Sequence, residues 1–239
     1  MGAFDLRHFP GPQSLAQTAA SDWQREIAGL RAAKAAAVST ALAGGRIARE
    51  FFTALASLIK AERVSLEGVH FFWGDERCVP PDDPESNFRL ANEFLFRQVT
   101  VPSQQIHRLR GEIEPREAAV LGETELRQFT DCPVPKMPQL DLVLLGVGEN
   151  GHVASLFPEE SEEQMANPAV YRAVTAVKPP PQRITMGYGV LAAARQVWML
   201  ASGEGKHQAL QESLAAGGRT PLARVLHSRH STRIYSDIA

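Results

Sequence analysis

The sequence is poor in cysteine. The two it has, Cys78 and Cys132, cannot build a disulfide framework, and their wide separation fits no zinc-knuckle spacing, so a reducing cytoplasm is the compartment to expect. Cys78 reads as an incidental, half-buried thiol. Long apolar runs are missing too: none approaches the roughly 18 residues of a membrane span, which gives no reason to expect a membrane partner. The first residues hold no basic stretch followed by an apolar one, and Leu6 stands where a myristoylation signal needs Ser or Thr. Nothing there supports secretion or a lipid anchor. Charge of one sign is also lacking. With 25 Lys and Arg against 27 Asp and Glu, the formal net charge of -2 offers no broad footprint for nucleic acid, and any anionic ligand must be held by a few local cations. What the 239 residues do have is an ordinary globular composition, 44% hydrophobic and 22% charged, enough for a substantial core. With no repeat and no domain-separating linker, a single domain over residues 1–239 is the expectation.

The chain is organised around residues 140–157, LDLVLLGVGENGHVASLF. The aliphatic run at 140–147 reads as a strand buried on both faces, which implies helices packed on either side. Just beyond it Gly146, Gly148 and Gly151 are interleaved with Glu149, Asn150 and His152, at the edge where an open parallel sheet binds ligands. Upstream, helical spacing of Leu15, Ala19, Trp23, Ile27 and Leu30 predicts a helix over 14–34, and a short buried strand follows at 35–43. Gly44, Gly45 and Arg46 open a second helix, whose apolar face is Ile47, Phe51, Leu55, Leu58 and Ile59. A strand at 69–73, a helix over 88–99 capped by Ser86 or Asn87, and a helix over 115–129 come next. Downstream the pattern gives a polar loop at 159–167, a strand at 170–177, and a turn or helix entered by 182–185 and reaching Arg195. A strand at 197–201, a helix ending near Ala215, a short helix at 221–226 and a strand at 232–235 complete the chain.

Several stretches carry candidate chemistry. Strand, paired glycine and helix at 44–46 is a phosphate-binding layout, because glycines admit close approach and the free N–H groups of the first helical turn face an anion. A bare Gly-Gly more often makes only a tight turn; Arg46 adds a cation. Asp75, Glu76 and Arg77 follow an aromatic strand directly, which places their charges near the sheet rather than out in solvent. Lys206 falls in the first turn of a helix, where a cation is disfavoured unless it snorkels or meets an anion. His152 follows a glycine turn at a buried strand's end, and an imidazole of ordinary pKa near 6.5 suits general base work; the plainer reading is a hydrogen-bonded structural histidine. No second His lies at metal-ligand spacing, and His227 and His230 have no third partner, so no metal is expected. Gly146, Gly148 and Gly151 fit G-x-G-x-x-G, but Pro158 truncates any following helix and no carboxylate stands about 20 residues on. Nicotinamide binding is therefore the lesser reading, and no cofactor is expected. Ser155 lacks the strained elbow of a serine hydrolase.

The residues carry a resemblance. The turn Ala43-Gly44-Gly45-Arg46, the block FFWGDERCVPPDDPESNF at 71–88, LGVGENGHVASLFP at 145–158, PPPQRITM at 179–186 and GEGK at 203–206 together resemble 6-phosphogluconolactonases, in the larger group that includes glucosamine-6-phosphate deaminases and ribose-5-phosphate isomerases. The ending ASLFP is similar to the lactonases, where deaminases have a segment like AFNEP. The resemblance implies a Rossmann-like, doubly wound α/β fold with a mostly parallel sheet and helices on both faces. It also implies hydrolysis of 6-phosphoglucono-1,5-lactone in the oxidative pentose phosphate pathway, without a metal, by a monomer or small homo-oligomer. His152 would then activate water, with N–H groups around Gly148 facing the oxyanion, and Asp75 and Asn87 would bind sugar hydroxyls or position the water. Gly44, Gly45, Arg46, Arg77, Arg183 and Lys206 would hold the phosphate. Two departures stand out: Ala43 and Arg46-Ile47 replace hydroxyl residues around the paired glycines, and Asn150 replaces the commoner Asp before Gly-His, leaving Glu149 or Asp75 as alternative partners of the histidine. Two other readings stay open, a deaminase or isomerase using Asp75 as its base, and a non-catalytic sugar-phosphate sensor.

Overall fold

The computed structural model describes residues 3–33 and 37–238. Its main sheet has six strands among the described residues, in the order β1-β9-β8-β5-β2-β3, every neighbouring pair parallel. These are β1 (Ala3–His8), β2 (Val38–Leu42), β3 (Val69–Trp73), β5 (Leu142–Gly146), β8 (Gln196–Ala201) and β9 (Ser231–Ser236). A second, antiparallel sheet runs β4-β7-β6, from β4 (Asp75–Arg77), β7 (Gln182–Met186) and β6 (Tyr171–Thr175). The helices α1 (Pro12–Ala33), α2 (Arg46–Glu62), α3 (Asn87–Ala91), α4 (Pro115–Thr130), α5 (Glu162–Met165), α6 (Tyr188–Ala193), α7 (His207–Leu214) and α8 (Pro221–His227) surround them. This is the Rossmann-like α/β architecture expected. None of these helices is long and apolar enough to cross a membrane.

Burial explains the arrangement. All five residues of β2 and the first four of β5 are buried, so the strands at the middle of the sheet must be covered on both faces. On α1 the stripe Leu15, Ala19, Trp23 and Ile27 is buried, and on α2 Ile47, Phe51, Leu55 and Ile59. The indole N–H of Trp23 donates to Thr40 Oγ1 of β2 at 3.3 Å, so a large aromatic enters the core without stranding its one donor. At the sheet's edge, His70 of β3 shares a hydrogen bond with His107 (2.8 Å), which in turn meets Glu125 of α4 at 2.7 Å. That chain ties α4 to the edge strand.

The elements differ from expectation in places. Residues 182–185 do not enter a helix; they form β7, and α6 begins only at Tyr188. Asp75–Arg77, read as a strand's charged tip, is itself a strand paired with β7 in the register Asp75↔Thr185. The helix expected over 88–99 is one α turn followed by a π-helical stretch, Asn92–Phe96. The polar loop at 159–167 contains α5, started by a capping box between Ser161 and Gln164. Lys206 stands in a 3-10 turn just ahead of α7. β1 had no expected counterpart, since AFDLRH alternates apolar and polar residues over too short a span to declare itself. Lys34 of the expected first helix, and Ala35 and Ala36 of the strand after it, lie outside the described residues.

The topology fixes where a ligand goes. β2 leads on to β3 on one side, whereas β5 leads towards β8 and β9 on the other. The crevice beyond the carboxyl ends of β2 and β5 is therefore the switch point of the sheet, where connections part and leave a gap.

Candidate functional site

A pocket occupies that crevice. Its wall is built from the loop after β2, the joint between β3 and β4, the loop after β5, and single residues from β7 and the turn before α7. Every residue given a catalytic or substrate-binding role from the sequence lines it except Asn150, which lines an adjoining groove together with His152.

The turn after β2 is shaped for an anion. Gly45 precedes α2 with φ 92°, a left-handed conformation that glycine adopts without strain, and no side chain caps the helix there. The first-turn N–H groups and the positive end of a 17-residue helix thus face the pocket. Gly44 is required by its neighbour: a Cβ there would lie 1.8 Å from Oδ1 of Asn87. Arg46 is exposed at the rim, close enough to Lys206 to act on its charge. Burial, reinforced by Arg46, lowers the Lys206 pKa below the ordinary lysine value, while Asp237 and Glu149 oppose the shift. A bound anion would relieve that cation pair.

The loop after β5 delivers the histidine. Gly148 leaves room for it, since a Cβ there would stand 2.0 Å from the His152 ring. Gly151, at φ 78°, turns the chain back, and bridges from Val153 to Val147 and Leu156 pin the turn. Nδ1 of His152 lies 2.6 Å from Oδ1 of Asn150, and the backbone N–H of His152 also donates to that oxygen at 3.3 Å. A backbone N–H can only donate, so the atom is the amide oxygen; Nδ1 must then carry a proton and Nε2 is left with its lone pair. Burial, joined by the cations Arg183, Lys178 and Lys206, holds the His152 pKa below its ordinary value, while Asp75 pulls it up. The imidazole is thereby kept neutral and basic at Nε2. Glu149 turns the other way, towards Gly205, where a Cβ would meet its Oε1 at 3.2 Å. One expectation needs correcting: the N–H of Gly148 donates to the His152 carbonyl (2.9 Å), so it is engaged in the turn and not free for an oxyanion.

The third wall is acidic at its base and cationic at its rim. Asp75, 6% exposed, accepts from Asn87 Nδ2 at 3.2 Å on Oδ1 and from the Ser155 hydroxyl at 2.7 Å on Oδ2. Glu76 points away from the pocket into the N-terminus of α3. Its carboxylate accepts from the backbone N–H groups of Arg77, Asn87 and Phe88 and from the Ser86 hydroxyl. Burial pushes its pKa up to about 7, against those backbone donors, which favour the charged form. Sequence reasoning marked Glu76 only as one of three charges and set Ser155 aside; both act through partners distant in sequence. The same burial, with Glu76 nearby, raises Cys78 to about 11, so that thiol is no nucleophile.

Arg77 reaches the carbonyl and carboxylate of Glu85 through Nη1, and its buried Nε has no hydrogen-bond partner among the described residues. Arg183 donates from Nε to the carbonyl of Pro180 (3.1 Å) and from Nη2 to that of Lys178 (3.4 Å), and burial and Arg77 lower its pKa. All four cations expected at the phosphate line the pocket, with Arg46 acting on the charge of Lys206 and Arg77 on that of Arg183.

Sheet topology and pocket lining together define a doubly wound α/β protein whose switch-point crevice gathers a histidine, a buried carboxylate and four cations. The family described as glucosamine-6-phosphate isomerases/6-phosphogluconolactonase matches residues 10–235, and the chain belongs to it. The 6-phosphogluconolactonase of Haemophilus influenzae is 33% identical over 210 residues, 84% of this chain and 85% of the relative. That of Mycobacterium tuberculosis is 35% identical over 171 residues, 69% of this chain and 67% of the relative. The crystal structure of 6-phosphogluconolactonase from Thermotoga maritima superposes with a TM-score of 0.82 at 26% identity, covering 99% of each chain.

Proposed function

We propose that the chain hydrolyses 6-phosphoglucono-1,5-lactone to 6-phosphogluconate in the oxidative pentose phosphate pathway. The observation that carries this reading is the His152 imidazole, held neutral with its Nε2 lone pair free, in a pocket that also contains an uncapped helix N-terminus and four cations. The substrate phosphate sits on the first turn of α2, between Arg46 and Lys206. The lactone ring then extends past Asp75 and Asn87 towards His152.

Nε2 takes a proton from water as the water oxygen bonds to the lactone carbonyl carbon, and the carbonyl oxygen becomes an oxyanion. With the Gly148 N–H engaged, the guanidinium groups of Arg77 and Arg183, which line the pocket, stabilise that charge. Collapse breaks the bond between the carbonyl carbon and the ring oxygen. The imidazolium returns its proton to the ring oxygen, which leaves as a hydroxyl, and the new carboxylic acid ionises. A sensor that only bound sugar phosphates would need the cations but not a histidine poised as a base. The free thiols of Cys78 and Cys132 suit a reducing cytoplasm.

Acid release from freshly generated 6-phosphogluconolactone near neutral pH, against an enzyme-free blank and with glucono-1,5-lactone alongside, tests the reading. Acceleration confined to the phosphorylated lactone is expected. Folded protein that gives no rate above the blank would refute it.

A further inference from the structure

One short loop carries both the pocket histidine and a buried hydroxyl that meets Asp75. His152 projects into the pocket, and three residues later Ser155, 0% exposed, lies beneath it with its hydroxyl 2.7 Å from Asp75 Oδ2. Between them Ala154 lines the pocket at φ 50°, a left-handed conformation that is strained for a residue with a Cβ. The backbone N–H of Ser155 is fixed in turn by Thr185 Oγ1 at 3.1 Å, and Thr185 is the β7 residue in register with Asp75. Asp75 is thus gripped from two sides, by Ser155 on one oxygen and Asn87 on the other.

From this geometry we infer that Ser155 is a positioning residue: its hydroxyl holds the Asp75 carboxylate in one place in the pocket that His152 also lines, so that Asp75 acts on the imidazole from a fixed position. A carboxylate held by a donor on each oxygen keeps its place while a proton moves on and off the neighbouring ring. The consequence is a division of labour within one pocket. Proton transfer belongs to His152, and Ser155 and Asn87 hold Asp75 in place for it. The inference rests on the lactonase reading for its consequence in turnover, but its physical content does not depend on that reading.

The test is a titration of the His152 imidazole by NMR in the wild type, S155A, D75N and the double variant. His152 is faced by Asp75, Arg183, Lys178 and Lys206, and Asp75 by Glu76 and Arg183 besides. D75N should lower the imidazole pKa by removing the one anion among these neighbours of His152. S155A should lower it part of the way, and should change nothing further in the D75N background. S155T, which keeps the hydroxyl, should restore the wild-type value; if S155A does not fold, S155C, with only a weak donor, carries the same expectation. In turnover, S155A should reduce kcat about tenfold with KM within about twofold, again with no added loss on D75N. An unmoved imidazole pKa in S155A, or equal shifts with and without Asp75, overturns the inference. A wild type inactive on the lactone would refute the functional reading while the titration still decides this one.

Discussion

The amide oxygen of Asn150 accepts from both Nδ1 and the backbone nitrogen of His152, at 2.6 and 3.3 Å. Both contacts come from one residue two positions earlier, so the tautomer of the histidine is set locally, before any other wall of the pocket is in place. An amide orients the ring without adding negative charge, and this separates orientation, done by Asn150, from electrostatics, done by Asp75.

Replacing His152 with Ala should lower kcat by about 10²-fold or more while leaving KM for the phosphorylated lactone little changed, because the phosphate contacts lie elsewhere. Steady-state kinetics on the purified variant checks this. Full retained hydrolysis would show that another group activates the water.

The acid limb of kcat/KM should inflect below the ordinary histidine value of 6.5, because burial and three cations depress the His152 pKa and the active form is neutral. Activity is lost as pH falls through that depressed pKa. Asn150→Asp sets a carboxylate beside Nδ1 and should move the inflection to higher pH. A pH–rate profile that does not move between the two proteins would contradict the assignment.

Arg46→Ala and Lys206→Ala should each raise KM for 6-phosphogluconolactone about tenfold, the loss of one charge-assisted contact. Neither should change kcat at saturating substrate by more than about twofold. The split between KM and kcat separates a phosphate role from a general loss of folding.

Gly148→Ala sets a methyl group 2.0 Å from the imidazole, and Gly44→Ala sets one 1.8 Å from Asn87 Oδ1. Either variant should fold yet lose activity by about 10²-fold, since a displacement near 1 Å at a reacting group has that effect. Circular dichroism together with turnover distinguishes this from unfolding. An active Gly148→Ala enzyme would mean the ring can stand elsewhere.

His70, whose pKa burial and His107 hold below the ordinary value, should make the fold acid-sensitive. The unfolded chain takes up a proton near pH 6.5 and the folded one only at lower pH, so unfolding free energy should fall as pH drops from 6.5 towards the folded pKa. Urea titrations over that range should show a shallower pH slope for His70→Gln than for the wild type.

Much of this was legible because the site is written in strand-end strings. A buried aliphatic run ending in glycines locates β5, and the residues that follow it are in the pocket because the chain has nowhere else to emerge. The same holds for Gly44, Gly45 and Arg46 after β2 and for Asp75 and Arg77 after β3. What the sequence concealed depends on pairing across space. Gln182–Met186 is a strand because β4 and β6 flank it, and β4 lies about a hundred positions earlier in the chain. Ser155 looks inert until Asp75 is seen against it, and the Gly148 N–H looks free until the His152 carbonyl closes on it. Neither contact leaves a periodic or compositional mark.

Gly74 stitches the two sheets together. Its N–H donates to Leu42 at the end of β2, and its carbonyl accepts from Met186 at the end of β7. Asp75 and Arg77 are therefore carried by the small sheet, while Gly44, Gly45 and His152 are carried by loops of the large one. The pocket is therefore a seam between two sheets, and the placement of its carboxylate and cations against its histidine depends on the joint at Gly74 as much as on either sheet.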